Sequence, residues 1–269
     1  MFDNPNVLAA YLGLIFPFAL VYLIFSNTRN EKFISCFLCG SIVLATVFTW
    51  SRGAWIAMAV GAVIFFTVYT KKTMRIFGAS IFLIPILPMI LPDNLLDRII
   101  SILNFSDSSI SYRIYTWLGS MRAIKDFFWG GIGYGPEAFS NIYPHYAYAG
   151  IEAAEHTHSL YLQILLGLGI GGLLTFLVMT FLYFQKCSEY IKKPENVSSK
   201  FFTVAAVVSV IAALIMGVFD YIWFNYRVFF VFWIVLSIGC AFVRVGKSEI
   251  ERTSPDFEEE HSTVYRDNG

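Results

Sequence analysis

Long apolar runs alternate with short polar breaks along this chain, and the runs set its architecture. Apolar residues dominate 7–25, 33–50, 54–70, 76–91, 159–184, 201–219 and 221–243. A helix needs about 20 such residues to cross the hydrocarbon core of a bilayer. The seven runs are therefore predicted as membrane-spanning helices. Only Ser51-Arg52-Gly53 separates the second from the third, which predicts a tight helical hairpin. Pro85 and Pro88 predict a kink in the fourth, tolerated where neighbouring helices satisfy the freed backbone groups. The fold class expected is all-α: a polytopic transmembrane bundle of about seven spans with one long loop. By region this gives four spans in 1–91, the loop at 92–158, three spans in 159–246 and a tail at 247–269. The tail carries Glu258-Glu259-Glu260 and little to bury, so it is expected to be disordered.

Composition agrees with a lipid-facing surface. Charged residues make up 14% of the chain, against about 25% in a typical soluble domain. Mean hydropathy is +0.63. The formal net charge of zero carries no basic signature of a nucleic-acid binder. Cys36, Cys39 and Cys240 sit in apolar runs and Cys187 follows one, which is no disulfide framework. Inside a lipid-spanning helix, Cys36-x-x-Cys39 also lacks the setting of a redox pair.

Basic residues fix an expected orientation. The connections after the first, third and fifth spans and the start of the tail hold twelve Lys and Arg. The opposite set holds six, namely Arg52, Arg227 and four in the long loop. The positive-inside rule then puts loop 92–157 outside and the C-terminus in the cytoplasm. Met1 would begin outside without a cleavable signal. That implies preceding spans, supplied as a missing N-terminal half or by another chain.

Four polar features interrupt the apolar plan on the outer side, where chemistry is to be sought. Arg52 lies between two spans and reads either as a snorkelling helix-end arginine or as a clamp for an anion. In the segment from Ser111 to Gly135, Ile114, Trp117, Leu118, Met121, Ile124 and Phe128 recur at helical spacing, with Arg113, Thr116 and Ser120 on the other side. This predicts a helix capped by Ser111 and lying at the outer membrane surface. Arg113 would face the same anion as Arg52, and Arg122 and Lys125 the head groups. Gly130-Gly131-Ile132-Gly133-Tyr134-Gly135 is not a dinucleotide fingerprint. It reads as a sharp turn or as a nest of N–H groups for a phosphate. Last comes Glu155-His156-Thr157-His158-Ser159 before the fifth span. Its histidines suit proton transfer near neutral pH. A metal site shared with Glu152 or Glu155 is the alternative, though no Cys/His ligand pattern supports it.

These motifs, in this order, resemble the O-antigen ligase and polymerase superfamily of bacterial membrane glycosyltransferases. The resemblance rests on Asn4-Pro5-Asn6, on Ser51-Arg52-Gly53-Ala54-Trp55, and on Tyr112-Arg113 with Trp117. It continues through Gly131-Ile132-Gly133-Tyr134-Gly135 and Phe139. Its most specific part is a His, then Asn, Ser or Gln, nine free residues, Gly, two free residues and a small residue or Tyr. Here that pattern reads His158-Ser159, Gly169 and Gly172. Many ligases carry Asn after the histidine, and this chain has Ser159.

The resemblance implies a multi-pass protein of the bacterial inner membrane, where glycan passes from an undecaprenyl-diphosphate carrier to an acceptor hydroxyl. It implies inversion at the anomeric carbon and needs no cofactor and no metal. His158 would be the general base, and Arg52 and Arg113 would bind the donor diphosphate. Supporting candidates are His156, Tyr112, Gly133, Gly135 and Arg227. Partners would be the lipid-linked donor, a glycan or lipid acceptor and the membrane lipids. A polymerase that extends the lipid-linked glycan is the alternative on the same fold, and a ligase to protein comes third. A transporter of polysaccharide precursors is the alternative from another class. It would be expected to carry mid-span charges or paired broken helices, which the sequence does not show.

Overall fold

A computed structural model describes residues 4–69, 108–194 and 196–253. Among these residues every regular element is helical. In chain order they are α1 Pro5–Phe25, α2 Arg29–Phe48, α3 Arg52–Tyr69, α4 Ser108–Phe127, α5 Pro136–Ile142, α6 Leu160–Lys192, α7 Val197–Phe219 and α8 Tyr226–Thr253. Short 3-10 turns occupy Tyr143–His145 and Ile222–Phe224. α1, α2, α6, α7 and Tyr226–Val245 of α8 are long and apolar enough to cross a membrane, and Arg52–Val68 is a shorter apolar helix. The described residues thus form an all-helical polytopic bundle, the fold class that the pattern predicts. The expected span at 76–91 and residues 92–107 of the long loop lie outside the described residues.

Helix ends follow local chemistry. Asn4 accepts the Asn6 N–H on its side chain and Pro5 opens α1 without a wasted donor. Thr28 and Glu31 form a reciprocal capping box at the start of α2. The last span starts later than its apolar run. Residues 221–225 are a turn, because Asp220 ends α7 in extended conformation and Asn225 Oδ1 accepts the Arg227 N–H at 3.0 Å. At its far end α8 continues to Thr253, through the first part of the expected tail.

α7 is the central helix, packed by α1, α3, α6 and α8. Ala205, Ala206, Ala212 and Ala213 are all nearly fully buried on it, and such small residues let backbones approach closely in lipid. The buried Ser209 hydroxyl donates to the Leu14 carbonyl at 2.7 Å, tying α1 to α7.

α4 is the helix expected at the membrane surface, shifted by one turn. It begins at Ser108, so Ser111 is interior rather than its cap. Ile114, Leu118 and Met121 are exposed, whereas Thr116, Ser120 and Ala123 are buried against the protein. Arg122 does not simply reach outward: its guanidinium stacks 3.9 Å from the Tyr148 ring centroid and clasps the following loop.

The glycine run explains itself here. α6 breaks at Gly169, whose φ of 68° and ψ of −173° belong to a region essentially reserved for glycine. The break frees carbonyls that the glycine turn takes up. Ile132 N–H donates to Leu166 at 2.8 Å, Gly133 N–H to Gly167 at 3.0 Å, and Ile170 N–H returns a bond to Phe128 at 2.8 Å. With these N–H groups spent on α6, the run is a docking turn rather than a phosphate nest. A Cβ on Gly131 would strike the Gly167 carbonyl, and one on Gly169 the Trp129 carbonyl. Gly169→Ala should therefore lower stability by about 3 kcal/mol, read as a fallen thermal midpoint in detergent. Gly171→Ala, whose Cβ meets nothing within 4 Å, is the control expected to change little.

Candidate active site

Polar residues from distant parts of the chain meet where α1, α3, α4 and the C-terminal end of α7 converge. Pro5, Asn6, Arg52, Gly53, Ser109 and Arg113 line a cavity of about 420 Å³ together with Asp220. The lining thus includes first-turn residues of α1, α3 and α4. The two guanidinium groups at these helix starts, with the positive dipole ends of the helices beside them, favour an anion. Beside this cavity lies an apolar one of about 260 Å³, lined by Ile56, Ile110, Ile114, Trp117 and Phe219 and sharing Arg52, Gly53 and Arg113.

Asp220 is the hub. It is 8% exposed, and His158 Nδ1 lies 3.2 Å from its Oδ1. The same oxygen accepts the Tyr221 N–H at 2.9 Å. Its Oδ2 accepts from Asn6 Nδ2 at 3.1 Å and stands 3.9 Å from Arg113 Nη2. Burial alone would raise the carboxyl pKa. The His158 hydrogen bond and the charges of His158, Arg113 and His156 outweigh burial and hold it below its ordinary value. The carboxylate therefore stays ionised at neutral pH.

His158 is held in an unusual backbone conformation, with φ of 50°. Left-handed φ costs an L-residue roughly 1–2 kcal/mol, and side chains occupy both of its backbone polar groups. His156 Nδ1 accepts its N–H at 3.1 Å, and Trp117 Nε1 donates to its carbonyl at 3.2 Å. Tyr112 meets the ring edge-on at 5.6 Å between centroids. With Nδ1–H turned to Asp220, Nε2 is the bare nitrogen that can take a proton.

His156 is buried against Phe224 and Tyr221. Burial, with repulsion from His158 second, pushes its pKa down to about 4, so it is neutral near pH 7. His156, His158 and Asp220 bring donor atoms within 4.8 Å of one another, the set that could hold a metal ion. Those groups already satisfy each other, and an arginine stands at the carboxylate. Such matching fits a proton-transfer pair better than a cation site. The glutamates considered from sequence are not part of this set: both Glu152 oxygens accept the Gly150 N–H, at 3.1 and 2.9 Å.

Arg52, Arg113, His158, His156 and Tyr112 are thus gathered around one centre. Gly133 and Gly135 lie instead in the docking turn, and the Arg227 guanidinium lies 4.7 Å over the Tyr226 ring. Asp220 and Asn6 were missed as site residues. A lone acid ending a 23-residue apolar helix was the available signal for Asp220.

The model of the O-antigen ligase family matches residues 37–177, more than half of the chain. The chain belongs to the O-antigen ligase family. No curated protein matches it. The matched range contains Arg52, Arg113, the glycine turn, both histidines and the break at Gly169, whereas Asp220 lies beyond it. Membership and five membrane-length apolar helices together make this a membrane protein with O-antigen ligase- or polymerase-like activity.

Proposed function

We propose that the chain transfers a glycan from undecaprenyl diphosphate to an acceptor hydroxyl at the outer face of the cytoplasmic membrane. The carrying observation is the shared cavity: Arg52 and Arg113 line it together with the Asp220 carboxylate that holds His158. The diphosphate would lie between the two arginines. The first isoprene units would lie in the adjoining apolar cavity, which shares those arginines.

Chemistry then needs only this chain's residues. His158 Nε2 takes the proton of the acceptor hydroxyl as its oxygen bonds the anomeric carbon. The bond from that carbon to the diphosphate oxygen breaks with its electrons, and the lipid diphosphate leaves with charge that the arginine pair stabilises. The charge that forms on the imidazolium is balanced by Asp220 through Nδ1–H. Attack opposite the leaving group inverts the anomeric centre. No step calls for a metal or cofactor, because the lipid diphosphate is already an activated leaving group.

Membranes containing the protein, given radiolabelled lipid-diphosphate glycan, should move the label to a second molecule. Label on a lipid-anchored core identifies a ligase, and label in longer lipid-diphosphate chains identifies a polymerase. Label that remains on the original donor while crossing the membrane would overturn transfer in favour of transport.

A further inference from the structure

His158 occupies a conformation that its own sequence does not favour, and what holds it there is unequal in kind. Its carbonyl is held by Trp117 and its ring by Asp220, but its N–H is held by a side chain only two residues earlier. We infer that His156 is a positioning residue: its bare Nδ1 holds the His158 N–H and so keeps His158 left-handed, with its ring aimed at Asp220. The inference rests on the reading of His158 as the base.

The geometry favours this over packing alone. The two imidazoles meet edge-on, 4.2 Å apart at 62°, rather than stacked, and Nδ1 of the His156 ring lies 3.1 Å from the His158 nitrogen. In a left-handed residue the N–H turns away from the extended direction of the chain and needs an acceptor close at hand. Left unpaired in this part-buried setting, that N–H would itself favour a return to ordinary φ. His158 would then swing off Asp220, and an offset of about 1 Å at a reacting group can cost about 10²-fold in rate. His156 is already neutral near pH 7, so Nδ1 can remain an acceptor there with the proton on Nε2.

The acceptor atom can be moved without removing polarity. Asparagine places Oδ1 where histidine has Nδ1, whereas glutamine places its amide where histidine has Nε2. Transfer should be measured in membranes with donor concentration varied and protein abundance matched. His156→Asn should keep kcat within roughly tenfold of the parent, while His156→Gln and His156→Ala should lose about 10²-fold with KM for the donor little changed. Packing alone predicts the reverse order, with the larger glutamine better than asparagine, and that order would overturn the inference. If glutamine and alanine variants fail to accumulate, asparagine decides alone: accumulation with kcat lost more than tenfold also overturns it. His158→Ala separates the two levels. If it retains activity the base assignment fails; if it is inactive while the asparagine test fails, only the role of His156 does.

Discussion

His158→Ala should abolish glycan transfer while membrane insertion and abundance stay close to those of the parent. Loss of a general base costs typically 10²- to 10⁴-fold in rate. The side chain is partly exposed at the centre, and its main polar contact is Asp220, so truncation removes chemistry rather than core. Relief of the left-handed strain is not expected, since alanine at φ near 50° pays a similar cost to histidine. A metal site predicts a different pattern. His156 and His158 would then matter equally, a chelator would inhibit the parent, and zinc would restore it. On the base assignment EDTA leaves transfer unchanged, and His156→Asn stays far more active than His158→Ala. Equal losses from both, with zinc rescue of the chelated parent, would replace the base with a metal centre. Full activity of His158→Ala would leave family membership intact and remove this mechanism from the chain.

Much of this site was legible because lipid makes polarity conspicuous. Arg52 between two apolar runs and two histidines at the head of a third stand out, since each must justify itself against hydrocarbon. Spacing also placed Arg113 on the polar side of α4. Asp220 escaped for a physical reason. It sits between two adjacent apolar runs and looked like a connection, and its partners His158 and Asn6 lie 62 and 214 residues away. No local pattern encodes such a meeting. The glycine turn was legible as a turn but its purpose was not, because the carbonyls it binds exist only where Gly169 breaks α6. Ser111 misled as a cap, since serines occur at 108, 109 and 111 and the helix begins at the first of them. The late start of α8 has the same origin: hydropathy runs on through Ile222-Trp223-Phe224, whereas the Asn225 cap sets the helix.

Asp220→Asn should reduce kcat by about 10²- to 10⁴-fold, a loss comparable to that of the base itself. The substitution keeps the shape and removes the charge, and it cannot satisfy the surrounding donors. In the native site every neighbour presents a hydrogen: Asn6 Nδ2, the Tyr221 N–H, His158 Nδ1 and, farther off, Arg113. An amide oriented one way sets its NH₂ against Asn6 and Arg113; flipped, it sets the NH₂ against Tyr221 and His158. The second arrangement invites His158 Nδ1 to become an acceptor, which moves the ring proton to Nε2 and leaves no base facing the acceptor hydroxyl. Either arrangement also removes the carboxylate that balances the imidazolium. A stability loss of about 1–3 kcal/mol should accompany the mispaired buried amide, so rates must be compared at matched abundance in membranes. The decisive comparison is the double variant. If Asp220 acts through His158, adding Asp220→Asn to His158→Ala should cost little further, because residues that act as a unit are not additive. Full additivity would show that Asp220 serves the anion cavity independently, through Arg113 or Asn6. An Asp220→Asn enzyme turning over within about threefold of the parent would mean that His158 works without its carboxylate.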